Sequence, residues 1–221
     1  MRSRLSRVEQ TERNRSLVLD AARDVFMARG YHAASLEQIA ESAGFSRGVV
    51  YSQFESKADL FLSLLEARIE ERAARHANLV GRLAPGGGVR ALVEHLAGED
   101  RADPRWLLLV AEFRVHAARD PELNDRYAAA HARTLEALAQ SLAMAAERSG
   151  EQLLLEPREL AEVALALANG SMLEQAANPD ALSGPRVGEL IAGLLVGAEK
   201  CFERAELTPV KARRARAAAK P

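Results

Sequence analysis

The chain has 221 residues, 48% hydrophobic and 28% charged, with a formal net charge of −1. That is enough apolar material for a substantial core and marks an ordinary soluble protein; a neutral total argues neither for nor against nucleic acid, because only the local distribution matters. The lone Cys201 excludes an internal disulfide and fits a reducing compartment, no apolar run approaches a membrane span, and the arginine-rich start lacks the apolar core of a secretory signal, so a cytoplasmic location is expected.

Alanine and leucine are abundant and strand-like alternation is absent, so the expected fold is all-α. Residues 1–12 carry Arg2, Arg4 and Arg7 without a helical face and read as a solvated basic arm. A first helix is expected from about Glu12 to Arg29. Leu17, Val18, Ala21, Ala22, Val25 and Phe26 form its apolar stripe, and Gly30 ends it.

Residues 35–54 carry the densest signal. Ser35 and Gln38 form a capping box, and Leu36, Ile39, Ala40 and Ala43 fall on one helical face. Gly44 ends this helix in a left-handed turn, Phe45 tucks back, and Ser46 caps the next helix. Val50 and Phe54 give that helix its buried side. Arg47, Gly48, Val49, Tyr51 and Gln53 form the other side, with no carboxylate until Glu55. A cation, a phenol, an amide and small residues suit a helix lying against phosphates and base edges, which is the geometry of a helix-turn-helix.

A fourth helix starts at Ser56, with Asp59 as its capping partner, and runs to about Leu83. Lys57 in its first turn opposes the helix dipole, and a phosphate would explain its placement. Pro85 to Gly88 form a loop; no Gly-Lys-Ser/Thr follows, so it is not a phosphate cradle. Helical segments follow at Val89 to about Ala97, Pro104 to about Arg119, Pro121 to about Arg148, Pro157 to about Ala177 and Gly184 to about Leu207. The segment from Pro104 is apolar nearly all round, as a helix buried mid-domain would be. The tail from Lys211 to Lys220 is basic and alanine-rich.

The run from Arg15 to Ala58 resembles the N-terminal domain of the TetR family of transcriptional regulators. The residues that carry the likeness are 21–26, Gly30-Tyr31, 35–40, Ala43-Gly44, 46–51, Gln53-Phe54 and Lys57. The resemblance implies a three-helix helix-turn-helix domain at 13–58 and a larger helical effector-binding and dimerisation domain at 59–207, flanked by a basic arm (1–12) and a basic disordered tail (208–221). It implies a regulator, expected to be a repressor, that binds double-stranded DNA at a palindromic operator as a homodimer. A small-molecule effector would release it. No cofactor, metal or enzymatic activity is implied.

By the same resemblance Tyr51 and Lys57 match phosphate-contacting positions. Arg47, Gly48 and Val49 face bases or backbone, and Ser35 and Ser46 meet phosphate at helix starts. Gln53 stands where many members carry histidine. Arg47 is the expected base reader, since arginine on guanine is the commonest such contact. Glu37, where some members have a basic base-contacting residue, is left aside. Trp106, Phe113, His116, His131, Asn169 and Met172 are the candidates to border an effector cavity, although large apolar residues at helical spacing are more often plain core. The faces with Ala164 and Ala168, and with Leu190, Gly193, Leu194, Gly197 and Cys201, are expected to pair with a second copy; packing within one chain is the alternative.

Two rival readings carry their own tests. Gly44, Ser46 and Gly48 fit the Gly-x-Ser-x-Gly elbow of hydrolases, but that elbow needs a preceding strand, and a helix precedes here. A helical binding protein with a vestigial DNA module would fail a gel shift. The five histidines show no paired metal spacing.

Overall fold

The computed structural model describes residues 6–82, 88–102, 104–178, 186, 188–190 and 193. Among them there is no strand, and the helices are α1 (Arg7–Ala33), α2 (Leu36–Ala43), α3 (Arg47–Tyr51), α4 (Lys57–Arg82), α5 (Gly88–Ala102), α6 (Pro104–Ala117), α7 (Pro121–Ser149) and α8 (Pro157–Ala177), with residues 186, 188–190 and 193 helical as well. The described residues separate into two compact units, those of 6–70 with 108–131, and those of 71–107 with 132–193. The first unit therefore recruits the end of α6 and the start of α7, which the expected boundary at residue 58 did not include.

Helix α1 begins at Arg7, well before the expected Glu12. The Ser6 hydroxyl accepts the N–H of Glu9 at 3.2 Å, and the Glu9 carboxylate accepts the N–H of Ser6 at 2.7 Å. This reciprocal pair satisfies two orphan donors, so the helix starts ahead of its apolar stripe. At Gly30 the regular helix breaks, with φ 77° and ψ 169°. A side chain there would be strained, and an added Cβ would lie 3.0 Å from the Glu112 carboxylate.

The core of the first unit is aromatic. Phe26, Phe61 and Phe113 are all fully buried. Phe61 stacks on Phe113 at 4.3 Å between centroids, and Phe26 meets Phe61 edge-on at 5.3 Å. Tyr31, 3% exposed, sits edge-on against Phe113 at 4.9 Å. Each such ring contributes about 1.5–3 kcal/mol by leaving water. Helices α2 and α3 and the chain after them bury Ile39, Val50 and Phe54.

In the second unit Val80, Val89, Leu92 and Val93 pack with Leu135, Ala139, Leu142 and Ala145 of α7 and with Leu160 and Ala161 of α8. The Glu151 carboxylate holds the start of α5 by accepting the N–H of Val89 at 2.8 Å and the Ser149 hydroxyl at 3.0 Å. Among the described residues no helix is long and apolar enough to cross a membrane, and no group of three His, Cys, Asp or Glu could hold a metal.

Candidate nucleic-acid interface

The helix pair is built by its own caps. The Ser35 hydroxyl accepts the N–H of Gln38 at 3.3 Å, and the Gln38 side-chain Oε1 accepts the N–H of Ser35 at 3.1 Å. At the other end Gly44 takes φ 72°. Its N–H donates to the carbonyl of Glu41, and the N–H of Phe45 donates to Ala40 at 2.9 Å. This Schellman closure consumes the loose carbonyls of α2 and turns the chain sharply into α3. The Ser46 hydroxyl makes no capping bond, so it stays available.

Helix α3 is five residues long and rests on Val50. The chain after it ends on Phe54, 1% exposed, over whose ring the Arg15 guanidinium lies at 4.6 Å. The same guanidinium donates to the Ser63 hydroxyl at 3.0 Å, so α1 and α4 together clamp the end of the reading segment.

On the outer side Ser46, Arg47, Gly48 and Tyr51 are exposed, while Val49 and Gln53 are half-buried. The Tyr51 hydroxyl donates to Glu37 Oε1 at 3.0 Å. That bond to Glu37 pushes the phenol up from its ordinary value. The Glu37 carboxyl is held below the usual carboxylate range by its own backbone N–H, then by the Ser35 hydroxyl and Tyr51, with the Arg47 charge adding. Arg47, Tyr51 and Glu37 thus form one charged, solvent-facing group spanning α2 and α3. Residue types alone did not reveal Glu37's part, because it and Tyr51 lie on different helices and no helical period links them.

Two residues expected at the interface, Lys57 and Gln53, are half-buried and turned partly toward the chain's own interior. Lys57 donates to the carbonyls of Tyr31 at 2.7 Å, Ala34 at 2.9 Å and His32 at 3.1 Å, and lies 4.6 Å from the centre of the Tyr31 ring. An ammonium has three donors, and all are taken. Unfavourable at its own helix start, the lysine is placed by the carbonyls where α1 ends. Its partial burial lowers its pKa. Gln53 turns Oε1 inward, where it meets no donor among the described residues. Reading adenine takes both ends of the amide, so this conformation does not support that role.

The six cavity candidates divide between the units. Phe113, His116 and His131 belong to the first. Phe113 is core, His116 sits 5.1 Å from Tyr31, and His131 stacks on Tyr127 at 5.9 Å, so aromatic packing accounts for them. Trp106 and Met172, both buried, and the half-buried Asn169 belong to the second.

Of the pairing candidates, Ala164 packs against the core of its own unit, and Ala168 is half-buried. The outward face of α8 instead carries Val163, Leu167 and Leu173, at 42%, 40% and 50% exposure. Leu190 is 46% exposed, and Gly193 is exposed. Leu194, Gly197 and Cys201 lie outside the described residues, as do Arg2, Arg4 and the basic tail.

Known proteins resemble both parts. Residues 18–64 match the family described as bacterial regulatory proteins, tetR family, and residues 85–197 match the family described as BetI-type transcriptional repressor, C-terminal. The transcriptional activator FasR of Mycolicibacterium smegmatis is 42% identical over 65 residues, 29% of each chain. The transcriptional repressor AcnR of Corynebacterium diphtheriae is 34% identical over 113 residues, 51% of this chain and 55% of the relative. The matched stretches therefore span about a third to a half of these relatives' lengths. In fold, the chain is similar to the transcriptional regulator FadR of Bacillus subtilis, crystallised with stearoyl-CoA. The TM-score is 0.64 at 18% identity, covering 82% of this chain and 97% of that one. With the second family match alone covering more than half of the sequence, the chain belongs to the TetR family of transcriptional regulators.

Proposed function

We propose that the chain is a cytoplasmic homodimeric repressor that binds a palindromic operator through α2 and α3 and is released by a small molecule. The observation that carries the operator contact is the exposed group of Ser46, Arg47, Gly48 and Tyr51 on a helix fixed from behind by Val50, Phe54 and Arg15. In this reading Arg47 reads a base edge while Tyr51, Ser46 and the Gly48 backbone meet phosphates. Val49 offers a methyl contact, Ser35 and Gln53 lie beside the phosphate path, and Lys57 braces the unit from within. Repression is supported by the repressor-type match over residues 85–197.

Dimerisation is supported by the apolar residues left exposed on α8, which a monomer would leave in water. Two-fold pairing would set two reading helices one turn of DNA, or a multiple, apart. Trp106, Asn169 and Met172 are the proposed effector contacts, all in the unit that matches the repressor-type region.

Selection of bound sequences from random duplexes, followed by sedimentation of the complex, tests the reading. An inverted repeat carrying an even number of protomers is expected. An asymmetric site bound by single protomers overturns it. A compound screen by thermal shift, repeated with operator present, tests release; ligands that stabilise the protein yet leave operator affinity unchanged remove effector control.

A further inference from the structure

Glu37 is the anomaly of the reading face. It is the single carboxylate bonded into the group of Arg47 and Tyr51, on a surface that must approach phosphates. It is half-buried in the first turn of α2 and its oxygen lies 3.0 Å from the Tyr51 hydroxyl. A deprotonated carboxylate can only accept hydrogen bonds. The acceptor-seeking groups that a major groove offers are the amines of cytosine (N4) and adenine (N6).

From this juxtaposition we infer that Glu37 is a specificity-determining residue: it withholds Tyr51 from phosphate until a base amine replaces the phenol as its donor. The inference rests on the proposed use of α2 and α3 as the reading pair. Its logic is a comparison of two duplexes. Any duplex supplies a phosphate for Tyr51, but a non-matching one leaves Glu37 without the donor that Tyr51 gave it, beside a polyanion. That raises the energy of the wrong complex. A matching duplex places a cytosine or adenine amine against the freed carboxylate and restores its bond. The environment favours the ionised form, since its own main-chain N–H, the Ser35 and Tyr51 hydroxyls and the Arg47 charge all stabilise it.

The experiment selects sites from a random duplex library with the native protein, Glu37→Ala, Glu37→Gln and Tyr51→Phe, then measures affinity for the native site against a scrambled duplex at one salt concentration. For Glu37→Ala one position of each half-site loses its preference. The ratio of specific to non-specific affinity falls roughly tenfold, the worth of one base contact, mainly because scrambled DNA binds more tightly. For Glu37→Gln that position moves toward adenine, which a carboxamide pairs on two edges. Tyr51→Phe weakens both duplexes alike and keeps the preference. An unchanged preferred sequence and an unchanged ratio in both Glu37 variants overturn the inference, as does an equal loss of affinity for every duplex. A native protein that enriches no sequence at all overturns the reading pair itself, so the two failures are told apart.

Discussion

The main-chain N–H of Tyr31 donates to the carboxylate of Glu112 at 2.9 Å, one residue after α1 breaks at Gly30. Two segments eighty-one residues apart are thereby joined at the point where the chain leaves its first helix. A neutral backbone donor bound by an ionised acceptor is among the stronger kinds of hydrogen bond.

Glu112→Ala is expected to destabilise the protein by about 1–3 kcal/mol, because it strands that N–H beside a buried ring cluster. Gly30→Ala is expected to cost about 1–3 kcal/mol through backbone strain, with the clash against Glu112 added. Urea unfolding of the two variants and their double mutant checks this. Losses that add fully, without coupling, would contradict a shared contact.

Lys57→Met should lower stability by about 1–3 kcal/mol, because it leaves three carbonyls without their cation. A lysine serving phosphate alone would instead leave the unfolding midpoint unchanged and only weaken DNA binding. Measuring both quantities on the same variant separates the roles.

Tyr31 gives a pH signature. Burial pushes its phenol up to about 12 from an ordinary 10. The folded state therefore holds this proton more tightly than the unfolded chain. Its contribution to stability is complete below pH 10 and is lost as pH rises toward about 12. Of the three tyrosines, Tyr31 should ionise late in a phenolate absorbance titration. Tyr31→Phe should delete that late step and flatten the alkaline fall in stability.

On α8, Leu167→Lys and Leu173→Glu should split the proposed dimer while leaving helical content intact, because both side chains face solvent within one protomer. Operator affinity should drop at least tenfold, the cost of losing an anchor worth more than about 1.4 kcal/mol. Ala164→Lys should behave differently and unfold its own unit, since Ala164 packs against that unit's core. Sedimentation and circular dichroism at matched concentration distinguish the two behaviours.

Local punctuation was legible in the sequence because it acts over three to five residues. Ser35 with Gln38, Gly44 and Gly30 each announce an end that the structure contains. The Ser6–Glu9 cap obeyed the same rule, yet the arginines around it hid the start of α1. The bonds of Lys57 within the chain were hidden for a different reason. Its partners are carbonyls twenty-three to twenty-six residues earlier, and backbone groups leave no mark in a list of side chains. The direction of α8 was likewise hidden. Its residues are apolar almost all round, so period alone does not choose between Ala164 facing inward and Leu167 facing out.

Helix α3 buries only Val50 among its five residues, while Arg47, Gly48 and Tyr51 point into solvent. In the proposed reading, folding and targeting are thus written at different positions of the same short segment. A duplicated gene can drift at the outward positions and acquire a new promoter address with its scaffold untouched, so neutral paths connect one regulon to the next.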